Sequence, residues 1–332
     1  TSKDGIHWEK PLVGTIPSLN GKPHNAVGEF YQANVLKETN DPDPSRRYKA
    51  FAWIPQEPYR YIILTSPDGL DWKILNTDNP QIISDDGDLI TAFWDHRRES
   101  YVAFTKTGRS PTRGLWRRVI ATNTSKDLVN WSERIWSWKT DWRDDVGALA
   151  RIEQVRPLLF DKDDFDLIRS EYYGVGFYLA ESCTIGFPWI LTVNNNASRA
   201  NGGSGGNDGP QEIQLGVSRD LYNWQRPFRT PVIEIGRLDQ WDASYQSTAS
   251  QAIRVGDEIR LYYSGGNYTH GTGLQYIYTE DGKFIGRDKK CTGSIGLVTW
   301  KLDRFVSANG PAEGGTLTTV PMCFTGNRLV IN

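Results

Sequence analysis

Cysteine, methionine and histidine are scarce in this chain of 332 residues, at three, one and four copies. Cys183, Cys291 and Cys323 are odd in number and widely spaced, which fits neither a disulfide framework nor a zinc knuckle, so buried free thiols are expected. His7, His24, His96 and His270 show no spacing from which a metal cluster can be read. An excess of one charge is missing too. With 38 Lys and Arg against 40 Asp and Glu, the formal charge is −2, and no basic surplus exists to neutralise a phosphate backbone, so no nucleic-acid partner is expected. The longest apolar runs, such as 61–64 and 177–180, fall far short of the ~20 residues that cross a bilayer, and no membrane span is expected. No leader is visible at Thr1, yet the chain opens inside a repeat unit, as a trimmed mature form would.

What is present is turn chemistry and aromatic residues. Glycine numbers 32 and aromatics make up 12%, a balance suited to short strands with many turns. One signature recurs five times: a Ser/Thr, an Asp in a tight turn, and a Trp or Phe returning on the next strand. It runs through Ser2-Lys3-Asp4-Gly5-Ile6-His7-Trp8, Ser66-Pro67-Asp68-Gly69-Leu70-Asp71-Trp72, Ser125-Lys126-Asp127-Leu128-Val129-Asn130-Trp131, Ser218-Arg219-Asp220-Leu221-Tyr222-Asn223-Trp224 and, more loosely, Lys301-Leu302-Asp303-Arg304-Phe305. A short carboxylate accepts backbone N–H groups and glycine tolerates positive φ, so Asp4, Asp68, Asp127, Asp220 and Asp303 read as turn formers.

Strand candidates fall between the hairpins in regular order: 89–94, 101–104 and 119–122 before the third, 171–178 after it, and 248–254, 258–263 and 294–299 before the fifth. Each period holds about four antiparallel strands, the content of one propeller blade. The expectation is an all-β fold, a five-bladed β-propeller of four-stranded antiparallel blades, over residues 1–312. A β-sandwich also reads as many short strands but does not account for five equivalent hairpins. Residues 313–332 are expected to supply a strand that closes the ring, or to lead into an accessory domain. The Asn-, Gly- and Ser-rich stretch 194–209 reads as a mobile surface insertion, and 278–282 as the turn of a long hairpin inside the last repeat.

The hairpin signature, with Gly87-Asp88-Leu89-Ile90-Thr91-Ala92-Phe93-Trp94-Asp95 and Gly256-Asp257-Glu258-Ile259-Arg260-Leu261-Tyr262-Tyr263, resembles the five-bladed propeller glycosidases: invertases, levansucrases, arabinanases and neoagarobiose hydrolases. The resemblance implies a glycoside hydrolase acting on an oligo- or polysaccharide, bacterial and secreted or periplasmic. It implies three carboxylates, usually two Asp and one Glu, projecting from innermost strands into one funnel. No cofactor is required, although a structural cation sits in the channel of some relatives, and His270 would then be a ligand or a substrate contact.

Innermost strands should follow each hairpin, so acids at their starts are the candidates: Glu29, Asp88, Glu171 and Asp242 as catalytic groups, with Asp85, Asp86, Asp166 and Asp239 beside them. Glycoside cleavage needs one acid to protonate the leaving oxygen and one carboxylate to activate water or attack the sugar. The order of blades in the resembling enzymes implies Glu171 as the acid, and its neighbours Tyr172, Tyr173 and Phe177 would keep it protonated. Asp88 would stay ionised, and the base or nucleophile is left between Glu29 and Asp242, with Glu181 or Asp242 as the fallback acid. His24, Asn25, Arg118, Trp189, Trp241 and His270 are candidate substrate contacts, Trp116 a further platform. Asp95 reads as a turn residue. The other readings are a non-catalytic carbohydrate-binding propeller and a sialidase-like hydrolase, which would need three arginines and a Tyr nucleophile; Arg117, Arg118 and Arg169 do not declare such a cluster.

Overall fold

The computed structural model describes all residues except 19–20, 55–59, 76–86, 113, 200–202, 272–275, 279–283, 288–290, 322, 324 and 329–332. Asp85 and Asp86 therefore lie outside the described residues.

The chain builds successive antiparallel sheets. The first comprises β1 (Tyr31–Lys37), β2 (Tyr48–Ile54), β3 (Arg60–Ser66) and β4 (Lys73–Ile74); the second β5 (Ile90–Asp95), β6 (Ser100–Thr112), β7 (Leu115–Ser125) and β8 (Ile135–Trp138). Two short helices follow, α1 (Trp142–Val146) and α2 (Ala148–Gln154). The third unit is β9 (Arg169–Leu179) and β10 (Thr184–Val193), a small ladder of β11 (Asn195–Asn196) with β12 (Asn207–Asp208), then β13 (Gln211–Ile213) and β14 (Gly216–Ser218), which share one edge of β10. The fourth has β15 (Tyr245–Thr248) and β16 (Ile253–Val255), two pieces of one edge, on β17 (Glu258–Gly266); β18 (Tyr276–Tyr278) pairs β19 (Phe284–Arg287), and β20 (Gly293–Lys301) returns along β17. Parallel bridges from Gln211 to Tyr245 and from Phe177 to Gln251 join the third and fourth units.

Period-two alternation explains how these sheets stack, because successive side chains of a strand leave by opposite faces. From β5 and β6, Ile90, Ala92, Tyr101 and Ala103 point one way and pack with Phe51, Tyr61 and Ile63 of the first sheet. Phe93, Val102 and Phe104 point the other way onto Tyr172, Val175, Phe177 and Ile190 of the third unit. Phe187, Trp189 and Ile213 of the third unit meet Ile259 and Leu261 of the fourth. The core therefore lies between neighbouring sheets, as in propeller blades.

The innermost strands are stitched to one another in order. Ala92 N–H donates to Asn34 Oδ1 at 2.8 Å, Thr91 Oγ1 donates to the Val175 carbonyl at 2.7 Å, and Phe177 N–H donates to the Ser250 carbonyl at 3.0 Å. A cavity of about 180 Å3 lies along these strands, lined among others by Gln32, Thr91, Lys106, Val175 and Ser250.

The hairpin signature has a shared geometry in four copies. Asp127 Oδ1 accepts the N–H groups of Val129 and Asn130 at 2.9 and 2.7 Å, Ser125 Oγ accepts Leu128 N–H at 2.9 Å, and Trp131 Nε1 donates to the Leu128 carbonyl at 3.1 Å. Asp4, Asp68 and Asp220 repeat the pattern with Trp8, Trp72 and Trp224. These indoles are turn staples, as expected of repeat positions. The residue after each Asp has positive φ, at Gly5, Gly69, Leu128 and Leu221. Leu128 and Leu221 accept that strained region although glycine is the usual occupant, and both are buried between their own sheet and the preceding one.

Several expectations change. The fifth hairpin is out of register: Asp303 itself has φ 62°, and among the described residues its carboxylate ties no backbone N–H, so it is not a turn former of the same kind. Helices α1 and α2 qualify the all-β reading; Asp141 caps the first with a reciprocal bond to Asp144, a capping signal inside a stretch with few strand features. The insertion 194–209 is tied down by the β11–β12 ladder and by Asp208, whose carboxylate accepts the N–H groups of Gly209 and Gly271 at 2.8 Å. Cys183 and Cys291 are half-buried and Cys323 exposed, so the thiols are not buried as expected. Among the described residues beyond Lys301 there is no strand, and those of 313–328 are exposed. The first hairpin docks on the fourth unit, where Tyr262 Oη donates to the Gly5 carbonyl at 2.6 Å, while Thr15 Oγ1 reaches the Leu70 carbonyl of the first sheet's hairpin at 3.3 Å. No helix among the described residues is long and apolar enough to cross a membrane.

Candidate functional site at one end of the inner strands

The sequence Arg169-Ser170-Glu171-Tyr172-Tyr173 opens β9, and alternation sends Arg169, Glu171 and Tyr173 to one face. Glu171 is 1% exposed. Arg118 Nη1 donates to its Oε2 at 2.5 Å and Arg169 Nε to its Oε1 at 2.6 Å. Both guanidinium groups also reach Asn207 Oδ1, at 3.0 and 3.4 Å, so the insertion delivers an acceptor that completes the clamp. Burial works against the Arg118 charge, but the Glu171 carboxylate outweighs it and holds that guanidinium above its ordinary value.

Tyr173 is the hub of the cluster. Lys106 Nζ lies 4.0 Å from its ring centre and Arg118 Cζ 5.5 Å, both cation–π contacts. The ring meets His270 edge-on at 4.9 Å and Tyr245 at 6.5 Å, and Tyr245 stacks on Tyr268 at 5.9 Å. Lys106 forms an ion pair with Asp88, whose side chain is 39% exposed. Asp88 thus precedes β5, Glu171 opens β9 and Tyr245 opens β15, and the parallel order of inner strands brings these ends together.

His270 Nδ1 lies 2.6 Å from the Asn207 carbonyl. A carbonyl only accepts, so Nδ1 carries the proton and Nε2 presents a lone pair. Burial first, and then the charges of Arg118 and Lys106, push the imidazole below its ordinary value, so it is neutral near pH 7. Burial, with Tyr173, Tyr268 and Asp88 adding to it, raises the Tyr245 hydroxyl well above the phenol range, and it remains a donor.

The sequence candidates divide into two groups. Asp88, Arg118, Glu171 and His270 share the cluster. Asp242 sits just before β15, accepts from Tyr263 Oη at 3.0 Å, and has Trp241 stacked on the same tyrosine at 5.6 Å; burial, then Asp242, pushes that hydroxyl up to about 12. No described contact joins Asp242 or Trp241 to the cluster. Asn25 and Glu29 are exposed, and half-buried His24 accepts the Ala26 N–H at 3.1 Å; no described contact places these three in the cluster. Trp189 is 9% exposed, packed over Gly174, and donates to Thr248 Oγ1 at 2.9 Å, so it is core rather than a platform. Trp116 is exposed, Asp239 pairs with Arg237 on the surface, and Asp95 is buried in its turn by Arg97 and Arg98. Arg117 turns away to Asp145 at 2.6 Å, so two arginines of the three, not all, meet at one carboxylate.

Sequence reasoning missed Lys106, Asn207 and Tyr245. Lys106 carried a signal: a cation at the end of the apolar run Tyr101–Phe104 is buried only with a partner. Among the described residues no group of three or more His, Cys, Asp or Glu is arranged to hold a metal ion.

Comparison with known proteins finds likeness of fold only. No family profile matches the chain, and no curated protein matches it. Among solved structures, an N-acetylgalactosamine deacetylase from F. plautii, in complex with blood group B trisaccharide, is similar over 92% of this chain and 80% of its own, at 14% identity and a TM-score of 0.50. A GH130-family structure, described as containing glycoside hydrolases that target β-1,2 mannosidic linkages, matches 77% of this chain and 62% of its own, at 12% identity and 0.42. A GH32 β-fructofuranosidase from Bombyx mori matches 77% and 44%, at 15% identity and 0.40. The chain spans less than two thirds of the latter two. Glycosidases thus appear among the structural matches, at low identity and high coverage of this chain.

Proposed function

We propose that this chain is a carbohydrate-active enzyme of the glycoside hydrolase class, built on a five-bladed propeller whose fifth position is taken by the first hairpin, and that it works at the end of the inner strands where Asp88 stands. The observation that carries this reading is the convergence of Asp88, Lys106, Arg118, Glu171, Tyr173 and His270, drawn from two sheets and a late loop, on one place. The fold shared with a protein that binds a trisaccharide supports it.

The roles follow from the surroundings. Asp88 is the half-exposed carboxylate, held by Lys106, and it faces the positive charge that develops on a sugar ring during cleavage. Glu171 is enclosed by two guanidinium groups, which fix a negative carboxylate; it anchors Arg118 for substrate contact rather than donating a proton. His270 offers Nε2 as an acceptor for water or a sugar hydroxyl.

The same arginine clamp favours a second reading, a non-catalytic saccharide-binding site, since it removes one acid from the chemistry. Release of reducing sugar from a panel of neutral oligosaccharides separates the two. Hydrolysis that Asp88→Asn slows on the order of 10²–10³-fold, the size of a lost electrostatic contribution, supports the enzyme; binding without turnover by the wild type supports the other reading.

A further inference from the structure

The opposite end of the inner strands carries a larger pocket. It has a volume of about 560 Å3 and is lined by Trp94, His96, Tyr178, Glu181, Arg254 and Asp303 among others. Trp94 and Tyr178 stand at the ends of β5 and β9, His96 and Glu181 follow those strands, Arg254 sits on β16, and Asp303 lies in the turn after β20. Glu171 and Tyr178 are seven residues apart along β9, which at ~3.3 Å per residue puts the two ends roughly 23 Å apart. Glu181, the fallback acid of the sequence reading, belongs to this end and shares no site with Asp88.

The polar groups here are unspent. Glu181, Asp303 and His96 make no side-chain hydrogen bond or ion pair among the described residues, and the one such bond of Arg254 runs from Nε to the Gly256 carbonyl at 3.0 Å. Elsewhere in the fold a hairpin Asp is consumed by its own turn, as with Asp127 and Asp220. Asp303 instead stands at φ 62° with its carboxylate free. The Tyr178 hydroxyl feels all three charges: burial raises it, Asp303 and Glu181 raise it further, and Arg254 opposes them. Beside them the Trp94 indole is 36% exposed, its ring edge-on to Tyr101 at 4.8 Å.

We infer that this pocket is a second binding site, for a neutral oligosaccharide. Its volume falls in the range of small-molecule sites. An exposed indole offers a flat apolar surface for the C–H face of a sugar ring, and carboxylate, guanidinium and imidazole groups supply acceptors and donors for hydroxyls. The mixture of signs gives no excess that would favour a phosphate or a polycation. This site does not rest on the chemistry proposed for the other end.

The test places the full chain on an array of neutral and uronate-containing oligosaccharides and titrates the hits by tryptophan fluorescence and calorimetry. The expected result is a neutral ligand whose affinity falls at least tenfold in Trp94→Ala and severalfold in Asp303→Asn, while Asp88→Asn and Arg118→Ala retain it. Asp303 is exposed, so its variant reports on the site even if Trp94→Ala folds poorly. Binding of no neutral oligosaccharide, or binding lost in Asp88→Asn and kept in Trp94→Ala and Asp303→Asn, overturns the inference; turnover or its absence leaves it untouched.

Discussion

Glu171→Gln separates an anchoring carboxylate from a general acid. The substitution keeps the shape but removes the charge between Arg118 and Arg169, and puts an NH2 group against one of two guanidinium donors. Breaking a buried ion pair by neutralising one partner costs about 3–5 kcal/mol. Arg118 retains some exposure and Asn207 still accepts from both arginines, so the lower end, about 3 kcal/mol, is expected. Unfolding entropy of ~2.1 cal/mol/K per residue, over the whole chain, makes this a fall of about 4 °C in Tm. Scanning calorimetry reads it, and activity should fall alike on natural glycosides and on aryl glycosides with good leaving groups. A general acid behaves differently: Tm stays put, the natural substrate loses 10²–10⁴-fold, and the activated one is spared. That second pattern would falsify the anchoring role.

Asp127→Ala or Asp220→Ala should each cost about 1 kcal/mol, since two backbone N–H groups lose their acceptor at a solvent-facing turn; denaturant unfolding with no change in midpoint refutes the turn assignment. The Asp144 carboxyl is buried, which would raise it, but the bond and charge of Arg226, with Arg229 behind, hold it below its ordinary value. A depressed carboxyl stabilises the fold above its unfolded value of about 4 and loses that contribution as pH falls through the folded value. Asp144→Asn should therefore lower Tm at pH 7 and flatten the decline below pH ~4; a parallel curve contradicts it. His270 should remain neutral at pH 6.5 with the proton on Nδ1, as read from imidazole nitrogen shifts, and a charged ring at that pH is the contrary result.

The strand order was legible because its signals are local. Apolar runs falling between hairpins marked the strands of the second sheet, and the Asp and Trp of four hairpins mark bonds that close within six residues. The fifth hairpin went out of register because Lys301-Leu302-Asp303 offers an Asp one place late, and only the backbone φ shows which residue occupies the left-handed position. The helices were missed because a five-residue segment such as Trp142–Val146 has too little length for a 3.6-residue period. At the site, Asp88, Arg118, Glu171 and His270 were picked out as residues that strand starts and loops could present. Their partners were not: which arginine faces Glu171, and that Asn207 reaches back from an insertion, depends on the packing of separate sheets. The expected proton on Glu171 rested on its aromatic neighbours Tyr172, Tyr173 and Phe177; of these only Tyr173 shares its face, and the groups that touch its carboxylate are Arg118 from β7 and Arg169 beside it.

The most direct test of a saccharide-cleaving site at the Asp88 end is reducing-sugar release by the wild type and by Asp88→Asn, with both proteins matched for Tm. The account predicts turnover of at least one oligosaccharide by the wild type and a loss on the order of 10²–10³-fold in the variant. Turnover by Asp88→Asn at the wild-type rate contradicts it.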